Sequence, residues 1–134
     1  MKHYLVDTSA LLTLRDDEPG AEDVVSVLKQ AEAQKVKVFG CFMTLMEVLY
    51  RVWKDEDETA GKLAYNQCKS LPIVWIHEDE DLLEQAARIK AKYRVSLADA
   101  WIGACAVLQD ARLIHKDPEF AALDFIPQKL LPYK

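Results

Sequence analysis

The sequence predicts an α/β fold built on a mostly parallel sheet of four to five strands. Two observations carry that expectation. Short apolar runs recur at residues 3–6, 35–40, 72–76 and 112–115. Between them lie longer segments with apolar residues at helical spacing, such as Val24, Val25, Leu28 and Ala31. Strands that alternate with helices favour parallel pairing through crossover connections. A length of 134 residues suits one domain, residues 1–134, around one core.

Taken in order, residues 3–6 read as a short buried strand. A short helix follows from Ser9 to about Arg15, and Asp16-Asp17-Glu18-Pro19-Gly20 reads as a loop. Residues 21–34 read as an amphipathic helix. Lys35 to Gly40, rich in Val and Phe, reads as the second strand, and Thr44 to Trp53 as a buried helix. The acidic run Asp55 to Glu58 opens a helix to about Lys69, because acids suit a helix N-terminus. Pro72-Ile73-Val74-Trp75-Ile76 reads as the third strand. Residues 79–93 form an amphipathic helix with Leu82, Leu83, Ala86 and Ala87 on one face. Ser96 starts a helix to about Gln109 that is apolar nearly all round, so most of its sides should be buried. Arg112 to His115 reads as the fourth strand. Phe125 to Tyr133 holds a candidate fifth strand, interrupted by Pro127.

Composition excludes several classes. A hydrophobic fraction of 51% with 29% charged residues is that of a globular chain, not a disordered one. No apolar run is long enough to span a bilayer, and the opening is broken too early by Asp7 for a signal peptide. The expected location is the cytoplasm. Cys41, Cys68 and Cys105 are odd in number and form no CxxC pair, which argues against a disulfide framework or a zinc site. Cys41 and Cys105 read as core filler. A net charge of −5 argues against broad non-specific nucleic-acid affinity. It does not exclude a nucleic-acid enzyme, because a bound metal reverses the local potential of a carboxylate cluster.

Four acids stand out by their placement: Asp7, Glu47, Asp99 and Asp117. Each sits where the chain leaves a strand or enters a helix, in a strongly apolar setting. Each also has a plain capping explanation. Thr44-x-x-Glu47 and Ser96-x-x-Asp99 both fit a capping box, Asp117-Pro118 fits an N-cap followed by proline, and Asp7 could cap the helix after strand one. Arg51 stands one turn beyond Glu47 and could pair with it. The joint pattern adds a second reading. A helix buried on most sides buries its acid too, and a buried carboxylate needs a partner, a hydrogen bond or a metal. Clustered carboxylates suit hard cations such as Mg²⁺ or Mn²⁺, which favour oxygen ligands and serve phosphoryl chemistry. In α/β sheets such sites form beyond the carboxyl ends of the strands, at a topological switch point. If strands one and four are neighbours, Asp7 and Asp117 meet at one edge.

Other polar residues are candidates beside those acids. Thr8 and Ser9 are either helix caps or groups that orient a ligand carboxylate. Ser96 reads as a cap close to the site. His115 and Lys116 read as strand-end residues, with contact to a substrate phosphate as the alternative. Arg88, Lys90, Lys92 and Arg94 load one helix end, either compensating its dipole or forming a phosphate patch. Trp53, Trp75 and Trp101 lie in apolar runs and read as core.

Four segments together resemble the PIN-domain nucleases, especially VapC-type toxins of toxin–antitoxin pairs. They are Tyr4-Leu5-Val6-Asp7-Thr8-Ser9, Thr44-Leu45-Met46-Glu47-Val48, Ser96-Leu97-Ala98-Asp99-Ala100-Trp101 and Leu113-Ile114-His115-Lys116-Asp117-Pro118-Glu119-Phe120. The resemblance implies a three-layer α/β/α sandwich and a Mg²⁺- or Mn²⁺-dependent endoribonuclease acting on single-stranded RNA. It implies Asp7 and Asp99 as the main metal ligands, with Glu47 and Asp117 completing the site. It also implies a homodimer neutralised by a small antitoxin protein. In the family the fourth acid commonly follows Thr or Ser, whereas here His115-Lys116 precede Asp117, and Glu119 is a substitute or supplement. Three alternatives stand beside this reading. A phosphohydrolase with an aspartyl nucleophile would place an acid at position 9, which is Ser. A non-catalytic PIN-like module would not need all four acids. A housekeeping RNA-processing nuclease would share every feature named here.

Overall fold

A computed structural model describes residues 1–133. Five strands form one sheet in the order β3-β2-β1-β4-β5, and every neighbouring pair runs parallel. The strands are β1 (Lys2–Val6), β2 (Val36–Cys41), β3 (Val74–Ile76), β4 (Arg112–His115) and β5 (Gln128–Leu130). The helices are α1 (Thr8–Arg15), α2 (Ala21–Glu32), α3 (Phe42–Asp55), α4 (Glu58–Ser70), α5 (Glu80–Lys92) and α6 (Leu97–Leu108). A short 3-10 helix spans Pro118–Ala122.

The pleat explains the three layers. Alternate residues of a strand face opposite sides of the sheet. Leu5, Phe39 and Leu113 share one row of the register and pack with Leu82 and Ile89 of α5 and Ile102 of α6. Val6 and Ile114 in the next row, with Val38, pack with α1 to α4 through Ala10, Val24, Val48 and Ala64. Both faces are therefore covered, as parallel sheets require. The two helix layers and the sheet form the sandwich that the resemblance implied.

Local rules account for the helix starts. Asp57, Asp79 and Ser96 cap α4, α5 and α6, each accepting a backbone N–H from three residues on. The sequence placed the third strand at 72–76, but only Val74–Ile76 pairs. Pro72 carries no N–H, and the Ile73 N–H turns back to Leu71 O. The fifth strand begins directly after Pro127 rather than being interrupted by it. Gly61 lets α4 lie close on α3, since a Cβ there would come within 2.8 Å of Leu49 O.

The sequence placed Trp53 in the core, and the structure corrects that. Trp53 is exposed on α3 beneath Lys62, whose Nζ lies 5.9 Å from the ring centroid. Trp75 and Trp101 are half-buried. Cys41 and Cys105 are fully buried, as expected of core filler. At the basic end of α5, Lys90 Nζ donates to Val95 O, and Arg88 lies 3.7 Å from Glu84 in an exposed pair.

The chain runs outward from β1 to β2 and β3, then returns to place β4 on the other side of β1. The reversal therefore falls between β1 and β4, which opens a crevice at their carboxyl ends. No helix among the described residues is long and apolar enough to cross a membrane.

Candidate active site

Asp7 follows β1, and its backbone N–H donates to Ile114 O of β4 at 3.0 Å. Its backbone is extended while Thr8 begins α1, so its side chain caps that helix. Asp7 Oδ2 accepts from Ser9 N at 3.0 Å and from the Ser9 hydroxyl. Ser9 Oγ also accepts from Lys116 N at 2.8 Å. One hydroxyl thus ties the end of β1 to the chain leaving β4.

Glu47 does not belong to a capping box. Helix α3 begins at Phe42, behind an extended Cys41 that makes no side-chain cap. Thr44 is therefore inside the first turn and Glu47 lies one turn further on. Glu47 is buried, and both its oxygens are held. Oε1 accepts from Thr8 Oγ1 at 2.7 Å, and Oε2 accepts from Arg51 Nη2 at 3.0 Å. Thr8 Oγ1 also lies 3.0 Å from the fully buried Thr44 hydroxyl.

Asp99 sits in the first turn of α6, where Ser96 Oγ accepts its backbone N–H at 3.1 Å. In a capping box the Asp99 carboxylate would bond back to Ser96 N–H. Glu119 takes that donor instead, through Oε1. Asp99 Oδ2 is left buried with no hydrogen-bond donor among the described residues. Asp99, Asp117 and Glu119 each bring one carboxylate oxygen within 4.8 Å of the others.

Asp117 caps the 3-10 helix, its Oδ1 accepting from Glu119 N at 2.9 Å, with Pro118 at the start as expected. Its own N–H donates to His115 Nδ1 at 3.1 Å. An amide can only donate, so Nδ1 is unprotonated and Nε2 carries the proton, directed at Gln128 Oε1 2.8 Å away. Gln128 Nε2 donates in turn to Phe120 O and Leu123 O. His115 is buried and its pKa is pushed down by that burial. The alternative in which His115 contacts a phosphate fails, because both ring nitrogens are engaged inside the protein. His115 instead fixes the loop that carries Asp117 and Glu119.

Asp7, Glu47, Asp99 and Asp117 line one cleft of about 290 Å³, together with Thr8, Ser9, Arg51, Lys116 and Pro118. The four acids singled out in the sequence therefore converge. Their charges act on one another. Burial, outweighing the Ser9 hydrogen bonds, pushes the Asp7 carboxyl up to about 6, with Asp117 and Glu47 adding repulsion. Burial also drives Asp99 far above the usual carboxylate range, helped by the nearby Asp117 and Glu119 carboxylates and by the Asp7 charge. An all-oxygen cluster with one buried, donorless oxygen matches what a hard divalent cation takes.

Two residues escaped the sequence reading. Thr44 fits a cap in the sequence, although its place on the same helix face as Glu47 is the signal for its buried role. Gln128 gave no local signal, because its partners lie on β4 and in the 3-10 turn.

A family model for the PIN domain matches residues 4–126. Comparison with curated protein sequences gave no match. Among solved structures, the chain is similar to a toxin–antitoxin complex from Klebsiella pneumoniae, at 25% identity over 90% of this chain and 92% of that one, with a TM-score of 0.65. It is similar to VapBC2 from Rickettsia felis, bound to a DNA fragment from its promoter, at 12% identity over 97% and 99% of the two chains, with a TM-score of 0.77. It is also similar to VapC20 from Mycobacterium tuberculosis, a toxin that cleaves the sarcin–ricin loop, at 21% identity over 96% and 99%, with a TM-score of 0.72. The family match takes in β1 from Tyr4 onward, β2 to β4 and all four converging acids, and the chain belongs to the PIN domain family.

Proposed function

We propose that this protein is a metal-dependent endoribonuclease that hydrolyses phosphodiester bonds in single-stranded RNA, and that it serves as the toxin of a toxin–antitoxin pair. The observation that carries the reading is Asp99, whose Oδ2 is buried without a donor and whose carboxylate brings one oxygen within 4.8 Å of oxygens of Asp117 and Glu119. Such a group is costly unless a proton or a cation compensates it. Asp7 and Asp99 would hold a Mg²⁺ or Mn²⁺ ion, with Glu47, Asp117 and the supplementary Glu119 completing the oxygen set. When bound, that ion supplies Lewis-acid polarisation of the phosphodiester and charge neutralisation at the leaving oxygen.

The protein's own groups keep this arrangement in place. Ser9 holds one oxygen of Asp7, which lines the cleft. Thr8 and Arg51 fix the Glu47 carboxylate. His115 and Gln128 set the turn that presents Asp117. Held side chains reorganise little on binding, which is where such sites gain their effect.

The toxin role is supported by the similar structures, several of them toxin–antitoxin complexes. An antitoxin protein and a second copy of this chain are the proposed partners. Met46, Tyr50 and Trp53 are exposed along α3, with Leu97 exposed on α6, and such apolar side chains suit a protein interface.

The test is incubation of the purified protein with mixed-sequence single-stranded RNA in Mg²⁺, Mn²⁺ or EDTA, beside the Asp7→Asn variant. Cleavage that needs the metal and is lost in the variant is the expected result. Cleavage in EDTA, or by the variant at the wild-type rate, would sink the reading.

A further inference from the structure

Two cations border the acidic cleft among the described residues, Arg51 and Lys116, and they are used differently. Lys116 Nζ donates to Pro19 O at 2.7 Å and lies 3.7 Å from Glu18, with its side chain 11% exposed. It is committed to the loop between α1 and α2. Arg51 is 44% exposed, and its ion pair with Glu47 uses Nη2 alone. A guanidinium has five N–H donors in a rigid fork. The Tyr50 hydroxyl also approaches the guanidinium, and the remaining N–H groups of the fork are left for a ligand at the cleft mouth.

The substrate class makes that important. An RNA strand approaching this cleft meets four crowded acidic side chains, Asp7, Glu47, Asp99 and Asp117, on a chain whose net charge is −5. Phosphate is a natural partner for the planar fork, which binds it through charge-assisted hydrogen bonds. We propose that Arg51 is a substrate-binding residue whose free N–H groups contact a phosphate of the RNA strand while Nη2 retains Glu47. The proposal rests on the ribonuclease reading and names the group that brings the strand to the acids.

The rival role is that Arg51 only neutralises Glu47, and the two roles predict different outcomes. The experiment measures binding of a labelled random-sequence single-stranded RNA by fluorescence anisotropy in EDTA, over a range of salt. The proteins are wild type, Arg51→Ala, Arg51→Lys and the distant control Arg88→Ala. Arg51→Ala should weaken binding about ten-fold or more, the loss expected for a hydrogen bond to a charged group. Its plot of log affinity against log salt should be shallower by about 0.7, the contribution of one phosphate contact on a single strand. Arg51→Lys should keep the wild-type slope, and Arg88→Ala should change neither quantity. Calorimetric Mn²⁺ binding by Arg51→Ala should stay within a few-fold of wild type, because Thr8 still holds Glu47.

Wild-type affinity and slope in Arg51→Ala would overturn the proposal while leaving the ribonuclease reading intact. Joint loss of Mn²⁺ and RNA binding would also overturn it, assigning Arg51 to Glu47 alone. A wild type that binds RNA through Arg51 but never cleaves it would support the contact and overturn the ribonuclease reading. A wild type that binds no RNA in EDTA even at low salt would overturn the Arg51 contact and leave the ribonuclease reading to the cleavage test.

Discussion

Thr44-x-x-Glu47 and Ser96-x-x-Asp99 are nearly the same four-residue pattern, and the fold uses them in different ways. In the second, Ser96 caps α6 as the pattern implies. In the first, α3 starts three residues earlier than a Thr44 cap would place it, and Thr44 becomes an internal, fully buried hydroxyl. Neither acid closes its box. Glu47 is held by Thr8 and Arg51, while Asp99 gives up its expected donor to Glu119 and keeps a buried oxygen free. The contrast separates a carboxylate whose charge is already satisfied by protein from one left for something else to satisfy. It also shows that a capping pattern locates a helix start only to within a turn, because long-range partners compete for the same donors.

The most severe way to break this contrast is at the free oxygen. Asp99→Asn or Asp7→Asn should lower metal-dependent RNA cleavage by at least about 10³-fold, since several kcal/mol of transition-state stabilisation depend on the ion. Gel-resolved cleavage, with a melting curve to verify folding, measures this. Activity within ten-fold of wild type would show that the cluster is not the active centre.

The same variants should have the opposite effect on stability. Asp7 has its folded pKa raised to about 6 from 3.8, so the folded state binds more protons between those values. Stability of the metal-free protein then falls as pH rises through that window, and the penalty is fully present above it. Asp7→Asn keeps a capping oxygen and removes the charge. It should stabilise the metal-free protein by up to about 3 kcal/mol at neutral pH and by little near pH 4. Denaturant unfolding in EDTA at both pH values tests the sign. A variant less stable than wild type at pH 7 would mean that the acids are not in conflict.

The satisfied carboxylate is sharpened by Thr8→Val. That change removes a buried donor to Glu47 and leaves Thr44 one partner short. The expected loss is about 1–3 kcal/mol. No change in the unfolding midpoint would indicate that the Thr8–Glu47 bond contributes nothing. The smallest effect belongs to the cap that works as its pattern implies. Ser96→Ala should cost about 1 kcal/mol, without altering the Mn²⁺ affinity by more than a few-fold.

Much of this was legible in the sequence. Alternating strand and helix signals gave the α/β class and five strands in their correct places to within a few residues. Asp7, Glu47, Asp99 and Asp117 could be picked out, because an acid inside an apolar stretch must find compensation. The resemblance carried the sandwich and the family. What failed was partner assignment. His115 offered two plausible uses, and only the positions of Gln128 and the Asp117 N–H excluded the phosphate contact. Trp53 lies in an apolar stretch yet faces outward, because the helix beside it is α4 with Gly61 at the contact.

The sequence by itself determined the local events: which segments become strands, where Asp57, Asp79, Ser96 and Asp117 begin helices, and where the acids stand on them. These follow from forces that act within a turn or along one strand. The tertiary structure alone decided that β4 lies beside β1, so that Ser9 meets Lys116 across 107 residues of chain and four acids share one cleft. Strand order is settled by covering both faces of the sheet at once. That total is spread over the whole core, and no short stretch of sequence reports it.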